Sequence, residues 1–144
     1  MDQPTTRREF VKAGVAATAL SLCGGCAVLG TTRHPDLTLR PEAGEIRFDE
    51  AKLEPAGSLV IAVEGHDNKL LVFRLPDGDV AAVTTKCTHR GCDVGYSEEK
   101  NRIVCPCHGS EYDTKGSNLK GPAKRPLRAY AVRTDRSSVV VRVS

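Results

Sequence analysis

Two short stretches hold the residue types best suited to chemistry: Cys87-Thr88-His89-Arg90-Gly91-Cys92 and Cys105-Pro106-Cys107-His108-Gly109-Ser110. Each offers a cysteine and a histidine at metal-ligand spacing, with a second cysteine beside them. Two soft thiolates and two imidazoles suit either an iron–sulfur cluster or a zinc ion. A spare cysteine in each box suggests a disulfide that ties the two loops together.

Loops that share a metal must be held by something rigid, and the flanking sequence reads as short strands. Ile46–Phe48, the apolar run Ser58–Val63, Lys69–Arg74 and Val80–Thr84 form a meander, with Pro76-Asp77-Gly78-Asp79 as a turn signal. Asp93–Tyr96 and Arg102–Val104 flank the polar turn Ser97-Glu98-Glu99-Lys100-Asn101, so the first box precedes a hairpin and the second follows it. Arg128–Thr134 and Ser138–Val143 predict a second hairpin about Asp135-Arg136-Ser137. No stretch past Gly30 keeps a helical period, although Phe48–Leu53 has room for a single turn. The expected class is all-β: a small antiparallel sandwich or partly open barrel over 45–144, with the boxes on a hairpin subdomain and an apolar helix at the N-terminus.

The chain has 144 residues, enough for one domain of about 100 residues and a leader. Aromatic residues make up only 4% and Trp is absent, so the core must rest on Val, Leu, Ile and Ala. A formal net charge of +3, with no long Lys/Arg run, argues against nucleic-acid binding. His34 and His66 lie in a linker and a turn and are expected to be ordinary surface residues. Thr6-Arg7-Arg8-Glu9-Phe10-Val11-Lys12 precedes an uncharged run from Ala13 to Thr32. Paired arginines before an apolar segment resemble a twin-arginine (Tat) export signal, a route that suits a domain whose cofactor is inserted before export. No cleavage site follows Leu29, and the run is just long enough to span a hydrocarbon core of about 30 Å. Residues 1–32 are therefore expected to be an uncleaved anchor that leaves the domain on the periplasmic side of a bacterial cell membrane. Cys23 and Cys26 are then small helix residues; lipidation at Cys26 is the alternative, although Cys23 stands where a lipoprotein signal usually has Leu. Residues 33–44 read as a proline-stiffened linker.

Cys-x-His-x-Gly-Cys followed by Cys-Pro-Cys-His-Gly-Ser resembles the Rieske [2Fe-2S] proteins, of the high-potential type found in cytochrome bc complexes. The resemblance covers roughly residues 80–131. It implies one [2Fe-2S] cluster per chain, with Cys87 and Cys105 on one iron, His89 and His108 on the other, and a Cys92–Cys107 disulfide. Neutral imidazoles in place of thiolates lower the negative charge of such a cluster and raise its potential, into a range of about −150 to +300 mV. Ser110 and Tyr112 match the family's hydroxyls that bond a bridging sulfide and a cysteine sulfur, and so raise the potential further. Gly121-Pro122-Ala123 resembles the family's proline loop over the cluster.

Zinc fits less well, because structural zinc pairs usually have two to four intervening residues where Cys87 and His89 have one. The Rieske ferredoxin and oxygenase class shares the Cys-x-His-Arg-Gly form but lacks the disulfide cysteines and is typically cytosolic. The resemblance implies an electron relay, not a catalyst in its own right. One role is the iron–sulfur subunit of a quinol:cytochrome c reductase-like complex, with quinol, a cytochrome b and a c-type cytochrome as partners. The other is a free carrier or small subunit of a periplasmic oxidase, with a molybdoenzyme subunit as partner, as in arsenite oxidases. Arg90 separates them: quinol-oxidising subunits usually carry an apolar residue at this position.

Overall fold

A computed structural model describes residues 35–144. In chain order its strands are β1 (Leu37–Leu39), β2 (Glu45–Asp49), β3 (Ser58–Val63), β4 (Leu70–Arg74), β5 (Val80–Thr84), β6 (Gly95–Ser97), β7 (Arg102–Val104), β8 (Glu111–Tyr112), β9 (Asn118–Lys120), β10 (Ala129–Tyr130), β11 (Val132–Asp135) and β12 (Ser138–Arg142). They form three sheets with the orders β1-β3-β4-β5-β10, β11-β12-β2 and β6-β7-β8-β9. The all-β expectation holds. Among the described residues no helix is long and apolar enough to cross a membrane, and the expected signal and anchor, with Cys23, Cys26 and His34, lie outside them.

The five-stranded sheet is central, and both of its faces are covered. Leu59, Ile61, Val63, Leu70, Val72 and Ala82 point to one core, shared with Ile46, Phe48, Val139 and Val141 of the three-stranded sheet. Val60, Leu71, Phe73 and Val83 point the other way, into a core shared with Val94, Ile103, Tyr112 and Leu127 around the two boxes. Successive strand residues face opposite sides, so a strand buried on both faces reads as an unbroken apolar run. That is why Ser58–Val63 and Leu70–Phe73 lack alternation. Asp49 caps a short 3-10 turn over Glu50–Leu53, accepting from the Ala51 N–H at 2.9 Å, and buries Leu53.

Three features differ from expectation. The described part of the expected linker carries β1, which pairs in parallel with β3 and packs Leu37 and Leu39 on the first core. A Leu-Thr-Leu alternation flanked by prolines is too short to be read as a strand. The expected single strand over Arg128–Thr134 is two: β10 pairs with β5 in the central sheet and β11 pairs with β12 in the other. Ala131 is the crossing point, its carbonyl accepting from the Arg142 N–H at 2.9 Å. Finally, β6 starts at Gly95, because Asp93 and Val94 close the first box against Lys86 and Thr85.

Candidate metal centre

The boxes are two loops built on the same frame. In the first, the Gly91 N–H donates to the Cys87 carbonyl and the Cys87 N–H donates to the Cys92 carbonyl, both at 2.8 Å. In the second, the Gly109 N–H donates to the Cys105 carbonyl at 3.0 Å and the Cys105 N–H donates to the Ser110 carbonyl at 2.8 Å. Gly91 and Gly109 close the two turns with φ of 76° and 71°, a region that any side chain but glycine enters at a cost. The first loop enters from β5 and leaves into β6, and the second joins β7 to β8.

This frame sets the depth of each side chain. Cys87 and Cys105, at the start of each turn, are 3% and 1% exposed and carry free thiols. His89 is half-buried and His108 exposed, with their rings edge-to-face at a centroid distance of 4.9 Å. Cys92 and Cys107 are disulfide-bonded, with a Cα–Cα distance of 6.5 Å, and close the loops on one another. The sulfurs of Cys92, Cys105 and Cys107 lie within 4.8 Å of each other. Two of the three are bonded together, so that trio is not a donor set. The available donors are the two free thiols and the two imidazoles.

His89 Nδ1 is buried and has no hydrogen-bond partner among the described residues. A buried polar atom without a partner is costly unless something binds it. Desolvation, then the charges of His108 and Arg90, lowers the His89 pKa, so its ring nitrogen keeps a free lone pair at neutral pH. Burial works against a charged Cys87. Hydrogen bonds from Tyr112, the His89 backbone, Cys105 and Ser110 outweigh it and hold the thiol below its ordinary value. Burial, with Cys87 alongside, pushes Cys105 up.

The tuning candidates are fully buried. The Tyr112 hydroxyl lies 3.3 Å from Cys87 Sγ and accepts from the Thr88 N–H at 3.3 Å. Ser110 Oγ accepts from the Ala123 N–H at 3.0 Å, which leaves its own proton for a sulfur. That bond also fixes the expected covering loop: Ala123 is buried, while Gly121 and Pro122 stay at the surface.

Two contributors are not visible in the motif. Thr88 Oγ1 donates to the Arg125 carbonyl at 2.7 Å and lies 3.1 Å from the Tyr112 hydroxyl, which ties the first loop to the segment after Ala123. Lys69 and Asp93 form an ion pair at 2.6 Å beneath the first loop, with side chains 19% and 4% exposed. The sequence offers only the position of Asp93, directly after the second cysteine of the box, and nothing that marks Lys69 as its partner.

The Rieske [2Fe-2S] domain family matches residues 48–131. The chain is 37% identical over 126 residues to the cytochrome b6-f complex iron-sulfur subunit of Chlorobaculum tepidum, covering 83% of this chain and 69% of that protein. To the corresponding subunit of Prochlorococcus marinus it is 39% identical over 93 residues, covering 60% of this chain and 50% of that one. The chain thus spans only part of these relatives. Among solved structures, the plasma membrane Rieske protein PetC3 of Synechocystis PCC 6803 shares 34% identity with a TM-score of 0.56, covering 65% of this chain and 93% of that chain. The ferredoxin of carbazole 1,9a-dioxygenase from Nocardioides aromaticivorans IC177 shares 25% identity with a TM-score of 0.61, covering 71% and 100%.

Proposed function

The chain belongs to the Rieske [2Fe-2S] family, and from that premise we propose that it is the electron-transfer subunit of a membrane-bound, quinol-oxidising complex of the bc type. Cys87 and Cys105 hold one iron, and His89 and His108 hold the other. The donor set fits such a cluster: two buried free thiols, and an imidazole whose buried Nδ1 has no hydrogen-bond partner among the described residues. When bound, the cluster accepts and releases one electron.

The observation that carries the electron-transfer reading is the burial gradient across the donor set. The thiols lie on the core side and the His108 ring at the surface, so only the imidazole edge meets a partner. Ser110 and Tyr112 donate hydrogen bonds to sulfur, which favours the reduced state. The exposed His108 ring would accept a hydrogen bond from quinol, its free ring nitrogen taking the proton while a bound cluster takes the electron. The bc-type assignment is supported by relatives that are cytochrome b6-f subunits; a cytochrome b and a c-type cytochrome are the corresponding partners here. Residues 1–32 export the folded domain by the twin-arginine route and anchor it, leaving the cluster on the periplasmic side. Membrane fractionation of an Arg7→Lys/Arg8→Lys variant tests that location.

The function is tested by quinol-dependent reduction of cytochrome c in membranes whose only copy of this chain carries His108→Ala. Activity should vanish along with the EPR signal of the reduced cluster. Unchanged activity would rule out the quinol role, and a colourless, EPR-silent wild-type protein containing one zinc ion would overturn the cluster itself. The second reading is a periplasmic carrier, or a molybdoenzyme subunit, that exchanges electrons only with proteins. The observation that favours it is Arg90, a charged and exposed side chain one residue from His89. Wild-type membranes that oxidise no quinol through this chain would select it.

A further inference from the structure

An open groove of about 700 Å³ runs along the first loop, with Cys87 and His89 in its wall. Four cationic side chains line it, Lys86, Arg90, Arg125 and Arg128, and no acidic side chain does. All four residues are exposed. Elsewhere every described arginine but Arg136 is neutralised: of the ten among the described residues, Arg40, Arg47, Arg74, Arg102, Arg133 and Arg142 are ion-paired with carboxylates. Three of the other four are in this groove. Arg128 is held over the Tyr130 ring at 4.9 Å, a contact that fixes the guanidinium without cancelling its charge. The whole chain has a formal net charge of only +3, so the groove concentrates a positive field on one side of the redox centre.

We propose that this groove docks the acidic face of a protein redox partner. The proposal rests on the electron-transfer reading above and names the partner's chemistry. Exposed and unpaired charges of one sign cost stability through mutual repulsion, yet they raise encounter rates with an oppositely charged partner by about 10- to 1,000-fold at low salt. Redox encounters are small and short-lived, so steering counts for more than buried area. His89 is part of the groove's wall, so a partner seated in it lies against that imidazole.

The test uses one acceptor in two charge states: cytochrome c in its native lysine-rich form, and the same protein succinylated to make it acidic. Stopped-flow oxidation of the reduced, cluster-loaded protein is measured at ionic strengths from about 10 mM to about 0.5 M, which shortens the screening length from about 30 Å to under 10 Å. Succinylated cytochrome c should react at least tenfold faster than the native form at low salt, with the ratio approaching one at high salt. Arg125→Glu/Arg128→Glu should abolish that preference. Arg136→Glu, at an exposed and unpaired arginine on the β11–β12 turn, should preserve it. The proposal is overturned if the native basic cytochrome reacts as fast or faster at low salt, or if the Arg136 variant behaves like the groove variant. It is also overturned if the groove variant changes binding to vesicles of anionic lipid but not the rate of electron transfer. The EPR signal separates the two levels: wild type without a reducible cluster refutes electron transfer, whereas an intact signal with charge-insensitive rates refutes the docking alone.

Discussion

Replacing Tyr112 by Phe isolates a single hydrogen bond to Cys87. The hydroxyl has one proton and two acceptors in reach, Cys87 Sγ at 3.3 Å and Thr88 Oγ1 at 3.1 Å. Thr88 has already given its own proton to the Arg125 carbonyl, so it can only accept from Tyr112. The Tyr112 proton is therefore divided between sulfur and oxygen. Reduction of a cluster held by Cys87 would add negative charge at the sulfurs and draw the proton to Cys87, so the bond would favour the reduced state. A hydrogen bond to a charged acceptor is worth about 1.5 kcal/mol or more, and a divided one about half of that. At about 59 mV per tenfold for one electron, Tyr112→Phe should lower the reduction potential by about 30–60 mV. A potentiometric titration followed by EPR reads this directly. The Thr88 N–H also loses its acceptor, so stability should fall by about 1 kcal/mol. A potential that stays put or rises, with the cluster signal intact, would refute this proton accounting. Ser110→Ala gives the contrast. It should lower the potential in the same direction and cost more stability, because the buried Ala123 N–H is left without its acceptor.

Three further outcomes are expected. Lys69→Met removes the 2.6 Å ion pair to the Asp93 carboxylate, which is 4% exposed, and should cost about 3 kcal/mol in denaturant unfolding, whereas a loss of a few tenths would show the pair to be a surface-like contact. Cys92→Ser/Cys107→Ser opens a loop with a sequence separation of 15 and should cost about 3 kcal/mol relative to the disulfide-bonded wild type by the chain-entropy estimate, and reducing the wild type should cost the same amount. The Arg133 side-chain hydrogen bond holds the Glu45 carboxyl below the usual carboxylate range, burial opposes it, and Arg142 and Arg47 add to the lowering. The stability from this site is therefore complete above the unfolded-state pKa of about 4.3 and is lost as pH falls through the lower folded value. Arg133→Gln should flatten stability against pH in that acid window, and an unchanged slope would place the acid sensitivity elsewhere.

The cysteine and histidine boxes were legible because metal chemistry needs particular side chains at particular spacings, and those survive any uncertainty about strands. The pairing of Cys92 with Cys107 could be anticipated from family resemblance and is present in the fold. β3 and β5 were readable to the residue, since each is a largely apolar run bounded by turn residues, and β7 was placed by the polar turn before it. β1, β8 and β9 were not, because strands of two or three residues are stabilised by their neighbours and leave no periodic pattern of their own. The break at Ala131 was hidden for a different reason: changing sheets needs no glycine or proline when both segments are extended. Thr88 and the groove cations were invisible as a group, since residues from 86 to 128 meet only after folding.

The burial gradient across the two loops has a consequence for traffic through the molecule. Cys87 and Cys105 are buried against the second core and the His108 ring is exposed, so the histidine side is the accessible edge of the donor set. If the proposed cluster is bound, a donor and an acceptor that both use this edge cannot occupy it at once. They must then meet it one after the other, and the exchange of one for the other would become part of every transfer.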